Sequence, residues 1–257
     1  MILVRYGELY LKSPPVQRKF LNTLTWNIRA MLERDKIKAV VRTERGRIFI
    51  DGPAEPVLHK TFGIVSFSPA QVCGSNMEEI TKLVSKIKVR TSFALRVSRS
   101  WKAFPKTSQE LERELGDIIR TNNKVRVDLS NPETTIELEI RPKTSYLFTK
   151  RIKGPGGLPL GTGGKALSLI SSPSSFKSTY LIMKRGVVPI CAYTDKKHLP
   201  IIKRLEQYSP QPLQKTKVKD LADAEKKATE LNLLAIIIPD KTPKTSDTLL
   251  LQPLIAQ

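Results

Sequence analysis

The chain of 257 residues is poor in the groups that bind metals or act as nucleophiles, with two cysteines, Cys73 and Cys191, and two histidines, His59 and His198. The cysteines are far apart, form no C-x-x-C pair and have no third thiol or histidine close by in sequence. That excludes the usual zinc and iron–sulfur ligand sets, and no metal site is expected. Each cysteine lies in or beside an apolar, strand-like run, the setting of a buried, inert thiol. The histidines sit on helix-like segments without a partner that points to catalysis. No apolar run reaches the roughly 18 residues that a membrane span requires. The chain opens directly into the strand-like Ile2–Tyr6, without the profile of a signal peptide. A cytoplasmic protein with no membrane contact is expected.

Acid is also scarce. Against 24 Asp and Glu stand 44 Lys and Arg, a formal net charge of +20 with pI near 10.0. A folded protein of this size with that balance usually faces a polyanion. The excess is +6 over residues 1–70, +7 over 71–155 and +7 over 156–257. Within it, residues 82–108 carry eight cations and no acid, together with Trp101 and Phe104. Interleaved cations and aromatics suit RNA ends, where phosphates pair with Lys and Arg and unpaired bases stack. Trp101 and Phe104 equally suit a second role, covering the core of their own module. Along the preceding strand, residues 96 and 98 share one face and 97 and 99 the other, so the loop from Arg99 to Lys106 is the stronger candidate for phosphate contact.

Periodicity divides the chain into three parts. In residues 1–72, strand Ile2–Tyr6, a helix opened by Ser13-Pro14-Pro15, two runs joined at Glu44-Arg45-Gly46, a short helix from Glu55 and a strand Ile64–Val72 follow one another. That order, βαββαβ, is the ferredoxin-like arrangement. Residues 73–155 read as a compact α/β module: helix Met77–Ile87, strand Ser92–Ser98, a helix behind the capping box Thr107-Ser108-Gln109-Glu110, then three strands. Gly154–Pro159 is a turn-rich linker. Over residues 156–257 strands alternate with helices, the signature of a small, doubly wound parallel sheet. The fold class is therefore α/β, with an α+β N-terminal part.

These segments carry a resemblance. The runs FALRVSRSWKAFPKTSQELERELGDII, VDLSNPETTIELEI and SYLFTKRIKGPGGLPLGTGGK resemble the THUMP domain and following linker of the tRNA 4-thiouridine synthase family, which are tRNA sulfurtransferases. RYGELYLKS resembles the N-terminal ferredoxin-like domain of that family, with its E-x-x-L-K element at Glu8 to Lys12. The likeness covers residues 1 to about 190 and weakens afterwards. It implies that the first two domains bind the acceptor region of tRNA. Matching basic positions are Lys12, Arg96, Arg99, Lys102, Lys106, Arg141, Lys143 and Lys150.

The resemblance also implies that the third domain is of PP-loop ATPase type, whose S-G-G-x-D-S signature follows a strand and opens a helix. Aligned on the downstream TYLIMKRG, the signature falls on Ile170 to Ser175. Ser171 and Ser172 replace both glycines, Pro173 removes a backbone donor, Ser174 replaces the acid, and Ser175 alone is kept. The expectation is a tRNA-binding protein with a shortened, degenerate nucleotide loop, no catalytic residue and no cofactor. The alternative is a divergent ATP-dependent tRNA sulfurtransferase, acting alone or with a partner subunit. A separate catalytic subunit and a homodimer both stay open as partners beside tRNA.

Overall fold

A computed structural model describes residues 1–7, 13–44, 46–239 and 249–254. In the N-terminal part, β1 (Ile2–Tyr6) is followed by α1 (Pro14–Arg34), β2 (Val40–Glu44), β3 (Arg47–Asp51), α2 (Glu55–Leu58) and β4 (Ile64–Pro69). Prolines in the first turn of α1 suit a position whose N–H groups have no helical partner. Its apolar stripe of Leu24, Ile28, Met31 and Leu32 is fully buried or nearly so. The helix stops where Lys36 turns left-handed (φ 55°) and the Ile37 N–H reaches back to the Leu32 carbonyl at 2.8 Å. That stop delays β2 to Val40, three residues later than the apolar pattern from Ile37 suggests. A further short strand, β10 (Ile152–Lys153), completes a five-stranded sheet of order β10-β4-β1-β3-β2.

The sequence pattern reads Ile64–Val72 as one strand, and the structure divides it. β4 ends at Pro69, which has no N–H to offer a ladder. The Ala70 N–H then donates to the Met1 carbonyl at 2.8 Å, and β5 (Gln71–Gly74) pairs antiparallel with β9 (Thr144–Phe148) in a second sheet.

That sheet has order β5-β9-β8-β6-β7, with β6 at Ser92–Arg99, β7 at Arg126–Val127 and β8 at Thr134–Ile140. Phe93, Leu95 and Val97 of β6 and Ile136, Leu138 and Ile140 of β8 form one core with α3 (Met77–Val84) and α4 (Ser108–Asn123). β7 pairs only with Ser92 and Phe93, so β6 is an edge beyond them. There the Val97 N–H is taken by Glu112 Oε1 from α4 at 2.8 Å, so this donor is withheld from another strand.

The third sheet is entirely parallel, of order β13-β12-β11-β14-β15. Its strands are β11 (Lys165–Ile170), β12 (Val188–Tyr193), β13 (Lys215–Lys217), β14 (Ala235–Ile237) and β15 (Leu249–Leu251). α5 (Ser175–Met183) and α6 (Leu199–Glu206) pack with Ile170 and Cys191, while α7 (Leu221–Glu230) packs with Leu167, Leu169 and Ile190. Alternate residues of β11 thus face opposite helix layers, which is double winding. Strand order reverses at β11, so the loop after it lies at the switch point where ligands of such sheets bind.

The chain gathers into two compact units, Met1–Leu3 with Ser68–Ile152, and Val4–Phe67 with Lys153–Gln257. Within the second unit the Gly154 and Gly156 N–H groups donate to the Val65 and Ile64 carbonyls, and Leu158 N–H donates to Lys184 O. Phe62 packs against Tyr180 and Tyr208 with ring centroids 5.2 and 5.7 Å away. The Arg34 guanidinium, one residue group at the end of α1, donates to the carbonyls of Glu206 and Ser209.

The Thr107 capping box is closed in both directions: Thr107 Oγ1 accepts from Glu110 N–H, and Glu110 accepts from Thr107 N–H. The Thr107 N–H holds the Glu110 carboxyl below its ordinary value, with Lys106 and Arg99 adding to the effect. A lowered carboxylate value stabilises the fold above the unfolded value of about 4.3, and that contribution is lost as pH falls through the folded value. Thr107→Ala is expected to cost about 1 kcal/mol in denaturant unfolding. Glu110→Gln should flatten the loss of stability on acidification below pH 5.

Candidate nucleic-acid interface

In the second sheet β6 and β8 run parallel and β9 runs back against β8, so the two ends of the sheet can be told apart by which residues lie there. Past the C-terminal ends of β6 and β8 lie the Arg99 to Lys106 loop and the Arg141-Pro142-Lys143 turn, joined by a Ser100 N–H to Ile140 carbonyl bond of 3.0 Å. At the opposite end lie Lys86, Lys88 and Arg90 before β6, Lys124 and Arg126 at the start of β7, and Lys150 after β9, all exposed. Asn123 holds this second cluster in shape. Its Oδ1 accepts from Val89 N–H at 3.1 Å and its Nδ2 donates to the Ile87 carbonyl at 3.1 Å, tying the basic turn to the end of α4.

The loop after β11 closes on itself. The N–H groups of Ser171 and Ser172 both donate to Ser175 Oγ, at 3.1 and 3.2 Å, and Ser175 is fully buried. Ser172 and Ser174 hydroxyls share a bond of 2.7 Å. Beneath them Thr179 Oγ1 donates to the Ser175 carbonyl and meets Ser168 Oγ of β11, each at 2.6 Å. Backbone N–H groups at a strand-to-helix turn are what cradles a phosphate in sheets of this kind. Here two of those donors already have an internal acceptor.

Comparison with known proteins joins these features. The model of the ThiI ferredoxin-like domain matches residues 1–68, and that of the THUMP domain matches residues 74–150. The chain is a THUMP-domain protein related to the tRNA sulfurtransferases. The probable tRNA sulfurtransferase of Methanocaldococcus jannaschii is 34% identical over 72% of this chain and 53% of its own length. That of Methanobrevibacter smithii is 36% identical over 76% and 54%, and that of Thermococcus kodakarensis is 32% identical over 80% and 58%. The chain thus spans about half the length of these curated relatives. Among solved structures, PH1313 from Pyrococcus horikoshii Ot3 is 28% identical with a TM-score of 0.89, covering 100% of this chain and 94% of that one. A 4-thiouridine synthetase in complex with RNA and bound ATP is 25% identical with a TM-score of 0.78, covering 98% of this chain and 80% of that one.

Within the THUMP domain the basic positions chosen from sequence separate into accessible and occupied groups. Lys102, Lys143 and Lys150 are exposed. Lys143 lies with Lys102 at one end of the sheet and Lys150 lies at the other. Arg96 is exposed and donates to the Leu129 carbonyl at 2.8 Å. Lys106 pairs with Glu114. Arg99 turns inward and donates to the carbonyls of Phe104 and Lys106, so it shapes the basic loop from inside. Arg141 is 7% exposed and bound to Glu139 at 2.8 Å, a buried ion pair. Phe104, 4% exposed, belongs to the core, and Trp101 packs edge-on against it at 5.9 Å. Phe104 thus takes the core-cover role, while Trp101 is half-buried beside it. Lys12 lies outside the described residues. The cluster of Lys86, Lys88, Arg90, Lys124 and Arg126 is not visible as a run in the sequence because its members come from separate segments; the acid-free window from Lys82 marks only the first three.

Both thiols are suppressed. Burial pushes Cys191 up to about 12 and Cys73 up to about 11, Glu79 adding to the effect at Cys73. Nucleophilic and metal-binding chemistry runs through the thiolate. In native protein at pH 8, Cys191 should resist iodoacetamide for hours and Cys73 should react far more slowly than free cysteine, both labelling fully in denaturant by intact mass. Fast native labelling of Cys191 would contradict its burial.

Proposed function

We propose that this chain binds the acceptor region of tRNA through its ferredoxin-like and THUMP domains and does not turn over ATP at the loop after β11. The observation that carries the second half is the occupation of the Ser171 and Ser172 N–H groups by Ser175 Oγ. An incoming phosphate must displace a buried hydroxyl from two donors and gains no donor from Pro173. A net charge of +20, a THUMP domain and a relative solved with RNA support the first half. The basic ends of the THUMP sheet supply phosphate contacts: Lys86, Lys88, Arg90, Arg126 and Lys150 at one, Lys102 and Lys143 at the other, with Arg96 between. Arg99 serves by holding the loop that carries Lys102. The whole chain then acts as a tRNA-holding component, and the chemistry of modification belongs to a partner subunit.

A second reading, a divergent ATP-dependent tRNA sulfurtransferase, draws on the relative with bound ATP that aligns with nearly the full chain. Binding of labelled ATP and of tRNA to one purified sample separates the two. Salt-dependent tRNA binding without ATP binding is the expected result. ATP binding together with 4-thiouridine formation would establish the second reading instead. On the RNA side, replacing Lys88, Arg90 and Arg126 together by Ala should make the slope of log Kobs against log salt shallower by about 2 to 3, at about 0.7 to 0.9 per lost phosphate contact. An unchanged slope would remove that end of the sheet from the interface.

A further inference from the structure

The glycine-rich linker borders a cleft of about 650 Å³ that the nucleotide loop and the THUMP surface leave unused. It is lined by the linker, Gly154 to Leu158, by Leu181, Ile182, Lys184 and Arg185 at the end of α5, and by Val65, Lys153 and Pro253. Among the described residues, three cations and no acid line it. Lys153 and Arg185 are exposed, Lys184 is half-buried, and none of the three forms an ion pair among the described residues.

Two of the linker positions admit no side chain. A Cβ at Gly154 would come within 2.4 Å of the Ile64 carbonyl oxygen, and one at Gly157 within 2.2 Å of the Lys184 carbonyl oxygen. Gly156 and Gly157 are both left-handed, at φ 69° and 75°. The cleft thus combines glycine backbone, the apolar side chains of Pro155, Leu158, Leu181 and Ile182, and three cations. Helix geometry places it away from the nucleotide loop: α5 has nine residues, so Lys184 lies about 13 Å along the helix from Ser175. Cations at a helix C-terminus also complement its dipole. That accounts for Lys184 and Arg185 alone, since Lys153 arrives from a different segment and the cleft is not needed for it.

From these features we infer that the cleft is a second RNA contact, taking one phosphate-bearing nucleotide of a bound strand. Its phosphate sits among Lys153, Lys184 and Arg185, and its ribose or base lies over Leu181 and Pro253. This rests on the reading that the chain binds RNA, and it extends the contact surface beyond the THUMP domain onto the second unit.

The test compares Lys153→Gln/Lys184→Gln/Arg185→Gln with a charge-matched control, Lys203→Gln/Lys226→Gln/Lys227→Gln, in full-chain tRNA binding across salt. Glutamine keeps the long stem of Lys184 against Gly157, and thermal unfolding of both variants checks that they fold. The cleft variant should lose affinity at least tenfold at low salt, with a slope shallower by about 2, the single-strand value for three contacts. The control should stay within about twofold. Ultraviolet crosslinking of tRNA to the unaltered chain should place a crosslinked peptide at 153–158 or 181–185. If the unaltered chain binds tRNA and the two variants behave alike, with no crosslink there, this inference is wrong and the proposed function stands. If the unaltered chain binds no tRNA, both fall together.

Discussion

Close approach of backbone to backbone along the linker is the constraint on which the second unit depends. Gly154 and Gly156 lie against β4, Leu158 against the turn after α5, and Gly161 and Gly163 both donate to the Gly186 carbonyl, at 2.7 and 2.9 Å. At Gly154, Gly157 and Gly163 an added Cβ would come within 3 Å of a neighbouring carbonyl oxygen, so those approaches require glycine. The motif therefore fastens the C-terminal sheet to the ferredoxin-like part, which explains its presence upstream of a loop whose donors are internally satisfied. The aromatic group of Phe62, Tyr180 and Tyr208 reinforces the same junction with apolar area, and Arg34 adds directed bonds to it.

Burial decides which of the many cations can serve a polyanion. Equal formal charges have unequal fates: Arg141 is consumed by Glu139, Arg99 by two carbonyls and Lys106 by Glu114, while Lys88, Arg90 and Arg126 stay exposed to solvent. A buried guanidinium without its carboxylate would carry a large desolvation cost, so the Arg141–Glu139 pair is a condition of folding that stretch rather than a store of binding energy.

Much of the fold was legible before any coordinates. The capping box at Thr107 and Glu110 announces α4, and the apolar stripe from Leu24 to Leu32 announces α1. Periodicity divided the chain into its three parts, and the family resemblance agreed with that division. What escaped has physical causes. β13 is Lys-Thr-Lys, a strand made by pairing with β12 and invisible to a hydrophobic pattern. The break between β4 and β5 depends on the Met1 carbonyl receiving Ala70, a contact between residues nearly seventy apart. Arg141 had one local clue: it follows Glu139 by two positions at the end of a strand, the spacing that brings side chains to one face. The basic cluster around Asn123 is assembled by topology from three segments, and linear charge runs register only one of them.

The second unit is discontinuous, and this bears on the order in which the chain folds. Residues 65 and 154, joined by a backbone bond of 2.9 Å, bracket the stretch 68–152 that with Met1–Leu3 forms the other unit. Holding those ends together while the intervening stretch is a random coil carries a loop-closure cost that grows logarithmically with length, about 4 kcal/mol for 85 residues. Once that stretch has folded, the coil entropy is already gone and the remaining closure is short. The route of least resistance is for the inserted unit to form first and for the flanking segments to zip afterwards. In synthesis from the N-terminus, the ferredoxin-like strands then wait for a linker made 85 residues later.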